Sequence, residues 1–223
     1  MATRAGFRRK VTVALLLGAV ALPLLILGSS WLLATLFYAV GVALLVELAI
    51  FAVRQARNRT SWLLCAILAC LVAAGIWGMQ MVIWSPHGNW LLLSTVVVIV
   101  ATDTAAQLVG MRFGTPGTFM PSISPNKSRT GVLAGVAGGV STALVAIIIW
   151  WMLGAALSPL VAVALIVAPA LSVAGDLFES RVKRSLGIKD FGRALGRDTG
   201  GFMDRFDSWL PTFFVIGLAL LLS

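Results

Sequence analysis

Residues 175–207, GDLFESRVKRSLGIKDFGRALGRDTGGFMDRFD, form the most heavily charged stretch of an otherwise lipid-soluble chain. They hold six of the eight acidic residues: Asp176, Glu179, Asp190, Asp198, Asp204 and Asp207. They also hold seven of the seventeen basic ones: Arg181, Lys183, Arg184, Lys189, Arg193, Arg197 and Arg205. On the N-terminal side the apolar run Leu157 to Phe178 leads straight into Asp176 and Glu179. On the C-terminal side Asp204-Arg205-Phe206-Asp207 leads into the apolar run Trp209 to Ser223. A solvated loop with self-paired charges is the bland explanation for such a stretch. Two acid clusters pinned at membrane boundaries favour a site that holds metal or phosphate instead.

Working outward, the fold class follows from composition. The 223 residues are 60% hydrophobic and 11% charged, with a mean hydropathy of +1.00. That excludes an ordinary soluble domain and predicts an all-α, polytopic membrane bundle built as a single domain over residues 1–223. A span needs about 20 apolar residues. Seven runs qualify or nearly do: Val11–Leu27, Trp31–Val53, Trp62–Trp84, Trp90–Val109, Gly131–Leu153, Leu157–Phe178 and the short Trp209–Ser223. The basic N-terminus before the first run resembles a signal peptide, but no convincing small-residue cleavage site follows, so the run reads as a retained span. Cys65 and Cys70 fall within one apolar run and read as small hydrophobes rather than a disulfide or metal pair.

Seven spans put alternate loops on opposite sides, and the charges then sort cleanly. The N-terminus and the segments 54–61, 110–130 and 179–208 share one side and contain all seventeen Lys and Arg. The other side has none. The positive-inside rule makes the loaded side, with the N-terminus and the polar loops, cytoplasmic. The net charge of +9 therefore belongs to cytoplasmic loops and anionic ligands, not to nucleic acid. Tryptophans 31, 62, 84, 90, 150, 151 and 209 lie near run ends, as interfacial anchors do.

Four acids sit within or at the ends of spans: Glu47, Asp103, Asp176 and Glu179. A carboxylate at a span centre costs about 2.5–3.5 kcal/mol on insertion scales, so these should face a bundle interior or a wet cleft. For Glu47 an ion pair with Arg54 or Arg57 competes evenly with a place in the site. Asp103 is flanked by Thr102 and Thr104 and has no basic residue within a turn. Asp176 and Glu179 share a helix face at i, i+3, and Lys183 continues it. Asp204 and Asp207 repeat that spacing. Paired carboxylates suit a hard divalent cation such as Mg2+, which bridges to substrate phosphates, while Lys and Arg neutralise phosphate oxygens. Gly200-Gly201 would let backbone N–H groups approach an anion.

The ordered set GDLFES, KR, KD, then GG followed by DRFD resembles the signature of the phosphatidate cytidylyltransferases, or CDP-diacylglycerol synthases. Upstream, Asp103-Thr104-Ala105-Ala106 with Gly110, and Ile123-Ser124-Pro125-Asn126-Lys127-Ser128, resemble the DTAAY…G and ISPKKT segments of that family. The likeness runs from about Ala101 to Asp207, making 1–100 a set of N-terminal spans and 101–223 the cytidylyltransferase-like part. The resemblance implies Mg2+-dependent transfer of a cytidylyl group from CTP to phosphatidic acid, giving CDP-diacylglycerol and pyrophosphate, with a second cation left open. Carried over by position, it implies that Asp176 and Asp204 bind metal with Asp207 assisting, and that Lys183 joins them in catalysis. Lys183, Arg184, Lys189 and Arg205 would contact phosphates, with Ser124, Lys127, Gly200 and Gly201 at the substrate. Asp103 and Glu179 match motif acids without an assigned role. A homodimer in the bilayer is a further expectation from the resemblance.

The chain departs from the pattern at several positions. Gly192-Arg193 stands where the family has Gly-His, and Gly196-Arg197-Asp198-Thr199-Gly200-Gly201 where it has PGHGG. Gln107 replaces the Tyr of DTAAY, and the acid of KKTWEG is absent. The sole histidine, His87, falls on the opposite side. On sequence alone three alternatives stand beside the cytidylyltransferase: a related nucleotidyltransferase using another lipid phosphate or nucleotide, a non-catalytic lipid-binding or scaffolding homologue, and a small transporter. The one-sided charge distribution speaks against the last. The small residues Gly131, Ala134, Gly135, Ala137, Gly138 and Gly139 predict close helix packing rather than a lipid groove.

Overall fold

A computed structural model describes residues 23–56, 58–125, 127–155, 157–188, 191 and 201–223. Among these residues every regular element is helical. The helices are α1 (Ser30–Gln55), α2 (Arg59–Trp84), α3 (Gly88–Phe113), α4 (Arg129–Met152), α5 (Pro159–Ser185), the single turn α6 (Met203–Phe206) and α7 (Trp209–Leu221). Residues 23–27, ahead of α1, are helical too. The rest of the expected first span lies outside the described residues.

Helices α1 to α5 are 24 to 27 residues long. At 1.5 Å per residue each covers roughly 36–40 Å, more than the roughly 30 Å hydrocarbon core. All five are long and apolar enough to cross a membrane, so the chain is a polytopic membrane bundle. The helices outrun their apolar stretches at the charged end. Helix α3 continues through Gly110 to Phe113 and α5 to Ser185; α5 stops just short of Gly187, whose φ is +71°. Glu179, Arg181 and Lys183 are thus helical residues rather than loop residues.

Helix starts are written locally. Ser29, Asn58, Ser128 and Ser158 each accept a hydrogen bond from the N–H three residues on, at Leu32, Ser61, Gly131 and Val161. Each such cap stabilises its helix by about 1 kcal/mol. Pro159 then occupies the first turn of α5, where a missing N–H costs nothing.

Two glycine-lined contacts set the packing. On α4, Gly131, Gly135 and Gly139 face Gly110, Ala106 and Thr102 of α3, so the two run antiparallel at close range. A Cβ on Gly135 would come within 2.7 Å of the Ala106 Cβ. The α4 glycines pack helix on helix, as expected. The second contact is α2 against α7. Gly75 meets Leu210, Gly78 lies on the Phe213 backbone, and Gly217 approaches Gly78. Helix α7 has only 13 residues, about 20 Å. It is held by burial of Leu210, Thr212, Phe213, Ile216 and Gly217 rather than by its own length.

The end away from the charges is aromatic. Trp31 and Trp84 meet edge-on at 4.8 Å, and both are exposed. Asn89 donates to the carbonyls of Ile26 and Gly28. Trp150 departs from its expected place as an interfacial anchor. It is buried, donates from Nε1 to Ser94 Oγ at 3.1 Å and meets His87 edge-on.

Candidate active site at the charged end of the bundle

The alternating course of the helices brings the end of α1, the end of α3, the start of α4, the end of α5 and the start of α7 to one end. Helix α5 supplies the central row. Asp176, Glu179 and Lys183 follow one another along its face. Lys183 Nζ bridges two carboxylates, Asp204 Oδ1 at 2.8 Å and Glu179 Oε1 at 3.2 Å. Glu179 is 1% exposed, so its contact with Lys183 is an ion pair held away from water, although neither oxygen meets hydrogen-bond geometry.

Among the described residues Asp204 is the most fully engaged acid. Besides Lys183, its Oδ2 accepts from Gly201 N–H at 2.8 Å and Phe191 N–H at 3.3 Å. Gly201 thus directs its amide at Asp204. Asp207 Oδ1 accepts from the N–H and hydroxyl of Ser208 at 2.7 and 3.2 Å. Burial, then the charge of Asp176, pushes the Asp207 carboxyl up to about 7, against the opposing pull of Ser208 and Lys183. Asp176 and Asp207 come together because Gly175 lacks a side chain. A Cβ there would strike the Asp207 carbonyl and Pro211, holding α7 away from α5.

The 110–130 loop reaches the same site. Lys127 pairs with Asp176 at 2.5 Å. Its carbonyl accepts from Gly117 and Phe119, and its N–H donates to the Ser124 carbonyl, so the loop folds on itself before Ser128 caps α4. Ser124 is half-buried within that fold. Asp103, on the exposed side of α3, lies close enough to Asp176 and Lys127 to feel both charges. Arg184 is exposed and donates to the Ile188 carbonyl at 3.1 Å. Arg205 is exposed on α6. Lys189 and Gly200, like Asp190, Arg193, Arg197 and Asp198, lie outside the described residues.

Among the described residues no group of three or more acidic, His or Cys side chains is gathered closely enough to hold a metal ion. The trio Asp176, Asp204 and Asp207 is instead divided, with Asp204 turned to Lys183 and two amides and Asp176 beside the half-buried Asp207. That second pair has the chemistry of a hard-cation site. Its donors are all oxygen, and Asp207 resists ionising beside Asp176, a conflict that a cation relieves. Mg2+ needs only one or two protein carboxylates when phosphates and water complete its shell.

Two residues of α1 reach this end, one of them missed in the sequence. Glu47, weighed evenly between an ion pair with Arg54 or Arg57 and a place in the site, turns its Oε2 to the Met203 N–H at 2.8 Å. Phe51, one turn on, packs edge-on against Phe191. A lone acid in an apolar run was the available signal for Glu47; nothing in the sequence singles out Phe51.

Comparison with known proteins bears on the same residues. A profile described as "Cytidylyltransferase family" matches residues 8–222. The chain is 34% identical over 134 residues to the phosphatidate cytidylyltransferase of Mycobacterium bovis, a match covering 59% of this chain and 42% of that protein. It is 38% identical over 127 residues to that of Bacillus subtilis, covering 56% and 45%. With that of Staphylococcus saprophyticus it shares 33% over 173 residues, covering 74% and 62%. In each case the match spans less than two thirds of the relative's length.

Proposed function

The chain belongs to the cytidylyltransferase family, and on that premise we propose that it transfers a cytidylyl group from CTP to phosphatidic acid at the cytoplasmic membrane face. The observation that carries this reading is the meeting of Lys127, Lys183, Asp176, Asp204 and Asp207 at one end of a membrane bundle. A water-soluble triphosphate and a lipid phosphate can meet there while acyl chains stay in hydrocarbon. In the reaction an oxygen of the lipid phosphate bonds to the α-phosphorus of CTP, the α–β bridging bond breaks, and pyrophosphate leaves.

Each residue has a defined task. Lys183, clamped by Asp204 and Glu179, is a fixed positive charge for phosphate oxygens. It reaches that position without reorganising during the reaction. Lys127 can exchange its Asp176 partner for a phosphate oxygen, and Arg184 and Arg205 add exposed positive charge at the rim. Ser124 belongs to the loop that presents Lys127. Asp204 orients Lys183 and the 201–203 backbone. Asp176 and Asp207 would hold Mg2+, with Asp103 nearby; bound there, the ion would neutralise and template the triphosphate.

Purified protein supplied with CTP, phosphatidate and Mg2+ is expected to release pyrophosphate and form CDP-diacylglycerol. Asp204→Asn should lower kcat at least about a hundredfold, as loss of a group that fixes a catalytic charge does. Wild type and variant equally inert would reject the reading. Turnover with other lipid phosphates in preference to phosphatidate would redirect it to a related nucleotidyltransferase.

A further inference from the structure

Glu47 is the only acidic residue before position 103, far in sequence from the other site acids. Its Oε2 accepts from Met203 N–H at 2.8 Å, while Oε1 is buried without a hydrogen-bond partner among the described residues. A Cβ on Gly201 would run into the same carboxylate, so the backbone at Gly201 passes directly against Glu47. One turn further along the same face of α1, Phe51 meets Phe191 edge-on, with centroids 5.2 Å apart and an interplanar angle of 83°. Phe191 and Gly201 are the two residues whose N–H groups hold Asp204 Oδ2, at 3.3 and 2.8 Å. Helix α1 therefore touches the chain at both points from which Asp204 Oδ2 is held. An orphaned, buried carboxylate oxygen costs stability. Features that break a local rule in this way collect at functional positions.

We propose that Glu47 and Phe51 form a clamp on α1 that positions Asp204, and through it Lys183, for phosphoryl chemistry. The clamp acts at one remove: Glu47 and Phe51 are positioning residues that contact backbone and ring, not substrate. This inference rests on the cytidylyltransferase reading for its kinetic consequence but not for its structural one. Glu47 fixes the 201–203 backbone by accepting from the Met203 N–H, and Phe51 fixes residue 191 by ring packing. Both contacts come from α1, not from α5 or α6, which carry Asp176, Glu179 and Asp204.

The test uses the full chain in phospholipid nanodiscs, with Glu47→Ala, Glu47→Gln, Phe51→Ala and, as a control on an exposed face of α1, Val46→Ala. Two readouts are taken: CTP turnover, and amide hydrogen exchange across residues 201–206. Glu47→Ala should lower kcat about tenfold to a hundredfold with KM for CTP within about threefold, the signature of misplacement rather than lost binding. Exchange over 201–206 should quicken while α2 and α4 keep wild-type protection. Glu47→Gln keeps a carbonyl acceptor for Met203 and should recover most of both. Phe51→Ala should follow Glu47→Ala, and Val46→Ala should match wild type. Wild-type kcat and wild-type exchange in Glu47→Ala would overturn the clamp, as would exchange that rises equally in every helix. A wild type inert toward CTP, with exchange loosened locally in Glu47→Ala, would leave the clamp standing and reject the enzymatic reading.

Discussion

At Asp207 a single carboxyl carries two opposed demands. Burial and the neighbouring Asp176 favour its protonated form and raise it from 3.8 to about 7. In the unfolded chain it ionises near its ordinary value. Without a divalent cation the native state therefore holds a proton that the unfolded state releases, and stability falls as pH rises from about 4 to about 7, then levels off. A cation between Asp176 and Asp207 replaces that proton. Added Mg2+ is expected to raise the thermal midpoint more at pH 8 than at pH 5, and Asp207→Asn should flatten the cation-free pH dependence. Scanning fluorimetry in detergent checks both; an equal Mg2+ effect at the two pH values would remove Asp207 from the cation site. Most of the acids in this argument were legible beforehand, because carboxylates in a lipid-soluble chain stand out. Gly175 was not. Its part in letting Asp207 reach Asp176 depends on where Pro211 lies, and no local pattern encodes that.

Among the elements, α7 shows how far length alone misleads. Thirteen residues do not span the hydrocarbon core unaided, yet the helix is well buried because α2 offers it a glycine-lined seat. Without a hydrophobic driving force between helices in lipid, close backbone approach supplies the packing. Gly78→Ala would thrust a Cβ into the Phe213 carbonyl. The expected loss is about 1–3 kcal/mol, the usual scale for overpacking, seen as a lower denaturation midpoint, with Val42→Ala on an exposed face unchanged. A neutral Gly78→Ala would mean the α2–α7 seat is looser than the backbone contact implies. The spans of α1 to α5 were legible to within a few residues from hydropathy. Their extensions at the charged end were less so, because polar residues on a helix that emerges from lipid resemble a loop.

For the molecule as a whole, the deciding property is that the charged side chains of the described residues gather at one end of the bundle. If the charged end is cytoplasmic, a cysteine in place of Arg112 should react with an impermeant thiol reagent only after the membrane is opened. One in place of Ser223 should react in intact cells. Both belong in a background with Cys65 and Cys70 changed to Ala. The opposite labelling pattern would invert the orientation and move the proposed reaction to the other face. The same polarity explains why the 110–130 loop, α5 and α7 can build one site from parts far apart in sequence: each enters or leaves lipid at the same surface.

The sequence by itself determined that this is a helical membrane protein, and it marked out Asp176, Glu179, Lys183, Asp204 and Asp207 as the charged residues that border its apolar runs. Hydropathy and charge act residue by residue, so they survive without knowledge of the partners. Tertiary structure decided how those groups are shared out. It set Asp204 on Lys183 and two amides, Asp176 beside Asp207 and Lys127, and Glu47 on the Met203 N–H. Pairing among like carboxylates depends on which helices lie close enough to touch. That is settled by glycine-lined contacts and ring packing between distant segments, and no single stretch of chain contains both halves of such a contact.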